Sequence, residues 1–147
     1  MLRSIEIFNQ PLGTSPWLED LELINCPQFN QPLDGVPALQ KLVIEDCPLF
    51  NQPIEHLKSL RHLDIVGRDF NCPIRNLGVL EDVAVYSDNF DSCITNRSSL
   101  VELFVSGEYF NSRLAMLPRL RRCTINSRVF NQSLPGLPSV AMLGDIA

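Results

Sequence analysis

Apolar positions recur along this chain in a block of the form Leu-x-x-Leu-x-Leu, which returns every 20 or 21 residues. The last two apolar positions of the block alternate with mostly polar residues, which is the pattern of a β-strand that buries one face. These two columns are Leu21, Leu42, Leu63, Val83, Leu103, Cys123 and Leu143, and then Leu23, Ile44, Ile65, Val85, Val105 and Ile125. The pattern therefore predicts one short strand in each repeat.

A phenylalanine column runs through the same repeats. Seven of the eight phenylalanines are spaced 20 or 21 residues apart, at Phe8, Phe29, Phe50, Phe70, Phe90, Phe110 and Phe130. Each opens a motif that reads Phe-Asn-Gln-Pro-Leu at residues 8–12 and 29–33 and becomes less regular after residue 74. We interpret the chain as about seven equivalent units that share one buried aromatic column.

A unit of about 20 residues with one strand cannot bury its own apolar edge, so the units must stack side by side. Helical repeats need about 33–47 residues and are excluded. All eleven prolines lie outside the strand blocks, as hydrogen-bonded strands require. We therefore predict a single domain over residues 1–147. It is a mostly β solenoid of the α/β type, right-handed and leucine-rich-repeat-like, with one parallel sheet and irregular or short-helical turns.

An asparagine follows the phenylalanine in all but one repeat, where Asp91 takes its place. A carboxamide at a bend can satisfy backbone groups that the turn leaves unpaired. We expect an internal ladder of these side chains, and the alternative is a simple preference of turns for asparagine.

Composition and charge exclude several classes of protein. The chain is 45% hydrophobic, which argues against disorder, and no apolar run approaches the length of a membrane span. Its net charge of −5 has the wrong sign for a protein that binds the phosphate backbone of a nucleic acid. Residues 1–60 carry a net charge of −5 and residues 111–147 one of +4. This difference is either an uneven distribution of solvated surface charges without a function or a dipolar binding face.

The titratable side chains do not form a catalytic or metal-binding pattern. The five cysteines contain no Cys-x-x-Cys pair, and there are only two histidines. We expect reduced thiols, an intracellular setting in the cytoplasm or a host cytoplasm, no metal and no cofactor. His62 and Asp64 share one strand face, but we interpret them as exposed polar residues and expect no enzyme activity.

The strand side chains that the core does not use point outward and form the candidate binding surface. Phe104, the one phenylalanine outside the column, falls here, and we expect it to be exposed in an apolar patch with a polar rim. The predicted protein-binding face consists of His62, Asp64, Val66, Asp82, Ala84, Tyr86, Glu102, Phe104 and Arg122. We expect a protein partner on it, and neither nucleic acid nor membrane.

The repeat resembles the FNIP type of leucine-rich repeat, found in amoebal and giant-virus proteins. Leu18-x-x-Leu21-x-Leu23-x-x-Cys26 is similar to the strand motif of leucine-rich repeats, and Phe-Asn-Gln-Pro-Leu to the FNIP element. The resemblance covers residues 2–146 and implies a solenoid that binds proteins. The chain departs from the family in its shorter unit and in the loss of proline from later motifs. In addition, the alignment of the repeats places Arg68, Asp88, Glu108 and Arg128 at the position that Cys26 and Cys47 occupy in the earlier repeats.

Two other interpretations remain open. One is a repeat domain of the bacterial surface lipoprotein type, which has a similar Phe-Asn-Gln-Pro-Leu motif but a longer unit. The other is a structural element that associates end to end, because neither terminus carries a polar capping repeat. The apolar residues at the two ends would be Leu2, Ile5, Ile7, Val140, Leu143 and Ile146.

Overall fold

A computed structural model describes residues 9–95 and 97–133 and the backbone of residues 2–3. Every described five-residue strand lies where the apolar alternation predicted it. The strands are β1 (Leu2–Arg3), β2 (Asp20–Ile24), β3 (Lys41–Glu45), β4 (His62–Val66), β5 (Asp82–Tyr86), β6 (Ile94–Thr95), β7 (Glu102–Ser106), β8 (Leu114–Ala115) and β9 (Arg122–Asn126). Of the terminal apolar residues, Ile5, Ile7, Val140, Leu143 and Ile146 lie outside the described part, so expectations for the two ends stay predictions.

Seven of these strands form one parallel sheet in the order β1-β2-β3-β4-β5-β7-β9. Each residue pairs with its equivalent in the next repeat, so that Leu42 lies between Leu21 and Leu63. After each strand the chain returns to the same edge of the sheet to begin the next strand. We call one such turn of the solenoid a coil, and each coil begins at a residue of the phenylalanine column. The prediction of a mostly β solenoid with a parallel sheet is confirmed.

The return segments match one of the two predicted kinds of turn. Across residues 9–95 and 97–133 they contain bends and turns but no helix, so they are irregular and not short-helical. In one respect they depart from the prediction of a single sheet. A second, two-stranded sheet joins β6 to β8. It forms in two coils where Cys93 and Arg113 replace the proline of the earlier motifs, and each of its strands begins directly after that residue.

The phenylalanine column forms the centre of the core. From Phe29 to Phe130, neighbouring rings are stacked with centroids 5.8–6.3 Å apart and planes within 5–13° of parallel. The rings from Phe29 to Phe110 are fully buried, and Phe130 is partly buried. Phe8 lies outside the described residues. Aliphatic residues of the strand columns enclose this stack, as the repeat predicted.

The asparagine ladder is confirmed, although it lies at the surface rather than inside. The side-chain Oδ1 of one coil accepts a hydrogen bond from the backbone N–H of the equivalent residue in the next coil, over 2.8–3.2 Å. The ladder runs through Asn9, Asn30, Asn51, Asn71, Asp91, Asn111 and Asn131. Asp91 fits because this position needs only an acceptor oxygen.

The change from 21 to 20 residues per coil has a local cause. The first two coils contain one extra residue after the strand, Asn25 or Asp46, with a left-handed φ of 54° or 52°. Asparagine and aspartate tolerate this conformation better than most residues. The residue three before the phenylalanine then accepts its N–H, as Cys26 does from Phe29 and Cys47 from Phe50, both at 3.0 Å.

This bend corrects the alignment of the cysteine column. In the later coils Gly67 and Ser87 accept the N–H of the following phenylalanine in the way that Cys47 does. The column therefore continues through small residues, Gly67, Ser87, Gly107 and Ser127, and not through Arg68, Asp88, Glu108 and Arg128. The sequence alignment was wrong because it placed the extra residue of the first two coils after the cysteine position, whereas it lies before that position.

Gly107→Ala is expected to lower the free energy of unfolding by about 1–3 kcal/mol, since overpacking a tight interior has costs of that size. A Cβ on Gly107 would fall on the backbone carbonyl oxygen of Ser87, which cannot rotate away. The matched control is Gly67→Ala, whose Cβ would find its nearest neighbours at 3.8 Å. Urea unfolding of both variants compares them. Equal midpoints would show that the coils do not approach as closely as the structure has them.

An arginine interrupts another core column. The position seven residues after the phenylalanine is filled by Val36, Leu57, Leu77, Arg97 and Leu117. Arg97 is only 7% exposed, and its guanidinium donates to the carbonyl oxygen of Ile74. Its Nε is buried and has no partner among the described residues. Burial lowers the pKa of Arg97, and the sequence pattern had given this residue no special place.

Candidate protein-binding face

All nine residues of the predicted face lie on one side of four neighbouring strands of the large sheet. Strand register brings equivalent side chains into rows that cross the strands. One row contains His62, Asp82, Glu102 and Arg122, the next Asp64, Ala84 and Phe104, and the third Val66 and Tyr86. The buried residues between them point to the core, so the alternation of the strands alone creates this outer face.

A groove of about 580 Å³ lies along this face. Its lining includes His62, Asp64, Asp82, Ala84, Phe104 and Arg122. Ala84 has the smallest side chain of its row and separates Asp64 from Phe104, which leaves a depression between a carboxylate and an aromatic ring. Lys41 and Thr124 line the same groove but were not in the predicted set, although both belong to the outward rows of the repeat.

Tyr86 and Phe104 form an aromatic pair beside the groove. Their ring centroids are 4.6 Å apart and their planes are tilted by 31°. Tyr86 is 42% exposed, whereas Phe104 is half-buried. The expectation of an exposed Phe104 was therefore wrong, because Tyr86 packs against it from the neighbouring strand.

The aromatic pair separates the groove from a second depression. This one has a volume of about 590 Å³ and lies at the ends of the strands. Its lining includes Pro27, Pro48, Val66 and Tyr86. Val66 is 37% exposed, so the apolar surface continues from Phe104 through Tyr86 into this depression. The apolar patch therefore spans two concave regions.

Ion pairs and hydrogen bonds between neighbouring strands engage the basic side chains of the face. Lys41 Nζ lies 3.1 Å from Glu22 Oε1, and His62 Nδ1 lies 2.6 Å from Asp82 Oδ2. Further along the sheet, Arg122 pairs with Glu102. These pairs are partly exposed, so each contributes little to stability, but together they fix the charge pattern of the surface.

Asp64 differs from the other acidic residues of the groove because it accepts no hydrogen bond from the described residues. Its Oδ1 is buried without a partner. Burial is the largest cause that raises the pKa of Asp64, and the charge of Glu45 raises it further. The charge of Lys41 acts in the opposite direction but has a smaller effect. The groove therefore contains a carboxylate that has no hydrogen-bond donor among the described residues.

Asp64→Asn is expected to raise the midpoint of urea unfolding at pH 7. The raised pKa in the folded state means that the ionised carboxylate destabilises the fold relative to the protonated form. This destabilisation is present above the folded-state pKa and disappears as the pH falls below the unfolded-state value. The gain in the variant should therefore shrink between pH 7 and pH 2. A gain that is the same at both pH values would contradict a charge effect.

All five cysteines are free thiols. Cys26, Cys47 and Cys123 are buried, and burial raises the pKa of Cys47 and of Cys123 to about 11. Such thiols stay protonated and react slowly. Within residues 9–95 and 97–133, no three His, Cys, Asp or Glu side chains come together in a way that could hold a metal ion.

Two findings complete the description of this face. The part of the chain that the structure describes has no helix long and apolar enough to cross a membrane. Comparisons of the chain with protein-family models, with curated proteins and with solved structures found no match.

Proposed function

We propose that this protein is a binding module that takes up a protein partner on the outer face of its parallel sheet. One observation carries the proposal: the Tyr86–Phe104 pair forms a partly exposed apolar surface between two depressions. Aromatic residues in such positions are preferred anchors of protein interfaces. A row of polar and charged side chains lies along one side of the pair, at His62, Asp82, Glu102 and Arg122, so the apolar centre has a polar edge.

The rigid solenoid supports this role. Strands β4, β5 and β7 of the face are each hydrogen-bonded to a strand on either side, so the sheet presents their side chains in fixed positions. A partner would then lose little free energy to the ordering of this surface on binding. The motif at residues 29–33 supports a relationship with FNIP-type leucine-rich repeats, and the free thiols support an intracellular setting.

The proposal is tested by affinity capture from a lysate of the cells that express the protein. Wild type, Tyr86→Glu and Tyr109→Glu are compared as bait. Tyr109 is the matched control, because it is 53% exposed and does not belong to the outward strand rows. We expect the same proteins on wild type and Tyr109→Glu and their loss from Tyr86→Glu.

Circular dichroism must show the same melting behaviour for both glutamate variants. If both fold and retain the same captured proteins, the outer face is not the binding surface. Loss of the partner from both variants alike would also contradict the proposal, because it would show that the position of the charge does not matter.

A further inference from the structure

We infer that Asp64 binds an arginine side chain of the partner. The depression over Ala84 and Phe104 holds an apolar side chain of the same partner segment. The inference rests on the proposed function and specifies the chemistry of the partner. The segment it describes is extended, with the order arginine, any residue, apolar residue.

The first step concerns the unsatisfied carboxylate. A buried polar atom without a hydrogen bond lowers stability, and proteins satisfy nearly all such atoms. Asp64 Oδ1 is buried without a partner, and no described residue donates to the other oxygen. The half-buried Asp64 side chain lines a groove that opens to the outside. A bound group can therefore reach Oδ2 directly, and it reaches Oδ1 when the carboxylate turns.

The second step concerns the charges around it. The basic side chains of the groove already contact other carboxylates: Lys41 that of Glu22, His62 that of Asp82. Arg61 Nη1 lies 2.5 Å from Glu81 Oε1. Glu45 adds a second negative charge near Asp64. Lys41 offsets only part of this negative charge, so charge complementarity favours a cation from another molecule.

The third step selects the chemical group. A guanidinium can donate two parallel hydrogen bonds to a carboxylate and also packs on aromatic surfaces, whereas an ammonium is a compact, strongly hydrated charge. Both oxygens of Asp64 are without a donor from the described residues, so a guanidinium that turns the carboxylate can satisfy both together. Tyr86 and Phe104 supply aromatic surface nearby. These features favour arginine over lysine.

The fourth step gives the spacing. Asp64, Ala84 and Phe104 are register neighbours on three adjacent strands. Strands lie about 4.8 Å apart, so the depression between Ala84 and Phe104 is centred about 7 Å from Asp64. Residues i and i+2 of an extended segment point to the same side and are also about 7 Å apart. The partner therefore needs one residue between the arginine and the apolar side chain.

The test uses the full chain labelled with ¹⁵N and two blocked tripeptides as probes, acetyl-Arg-Ala-Leu-amide and its neutral citrulline analogue. The arginine probe should shift amide resonances of β4, β5 and β7. Asp64→Asn should weaken its binding about 10-fold or more, as loss of a charged hydrogen bond does. The control Asp20→Asn changes an exposed acid of β2 outside the groove and should leave binding unchanged.

Three results would overturn the inference: equal binding of the arginine and citrulline probes, equal binding to wild type and Asp64→Asn, or no shift on the face with either probe. Folding is not a concern, since Asp64→Asn is expected to be at least as stable as wild type at pH 7. The lysate capture tests the proposed function separately. If capture depends on Tyr86 while the probes fail, the face binds proteins but not through an arginine at Asp64.

Discussion

Phe70→Ala is expected to lower the free energy of unfolding by about 3–5 kcal/mol, the range for removal of a large ring from a packed interior. Phe70 is 0% exposed. Its ring is stacked between those of Phe50 and Phe90, with centroids 6.3 and 6.1 Å away. The substitution leaves a cavity in the middle of a continuous stack, where neither neighbouring ring can move into the gap without leaving its other contact.

Urea unfolding at pH 7 measures this effect, with Phe104→Ala as the matched control. Phe104 is half-buried, and Tyr86 carries the only ring it contacts in the described part of the chain. Its loss should therefore lower the free energy of unfolding by about 1–2 kcal/mol. If Phe104→Ala were the more destabilising of the two, the assignment of the core column would be wrong.

Arg97→Leu is expected to raise the free energy of unfolding by about 1–4 kcal/mol, as the replacement of buried charges by apolar side chains often does. The equivalent positions of the neighbouring coils are Leu77 and Leu117, and both are buried. A leucine at position 97 would complete this column. It would also remove a guanidinium whose Nε has no partner in the described part of the chain.

The matched control for this variant is Arg119→Leu, which removes an exposed arginine and should change the free energy of unfolding by less than about 0.5 kcal/mol. Urea unfolding of both variants separates the core effect from the change in net charge. A destabilised Arg97→Leu would show that the hydrogen bond from Arg97 to the carbonyl oxygen of Ile74 outweighs the burial of the charge.

Much of the fold was predictable because the repeats stack in register. Leu21 and Leu42, which are equivalent positions of two repeats, are neighbours in the sheet, and the phenylalanines of the column form a stack of rings. A repeat turns a distance along the sequence into a fixed neighbour in space, so a column in the sequence is a row in the structure. The same rule placed Asp64 and Phe104 on one face.

The parts that were not predictable depend on departures from the repeat. Arg97 looks like an ordinary polar residue until its column is seen to be buried. The burial of Phe104 depends on the ring of Tyr86, and the isolation of Asp64 depends on which cations its neighbours already bind. Each of these properties belongs to a set of contacts between coils, and no single coil contains it.

The asparagine ladder also limits how such a gene can change length. Each rung joins an oxygen of one coil to the N–H at the equivalent place in the next, as Asn30 does for Asn51. Duplication or loss of one complete unit would preserve every rung, because the new neighbours would be equivalent residues. An insertion of any other size would place unlike residues beside each other where the altered coil meets its neighbour, unless the surplus is absorbed at a bend as Asn25 absorbs it. Sequences related by whole-unit duplication should therefore be the main source of length variants that still fold.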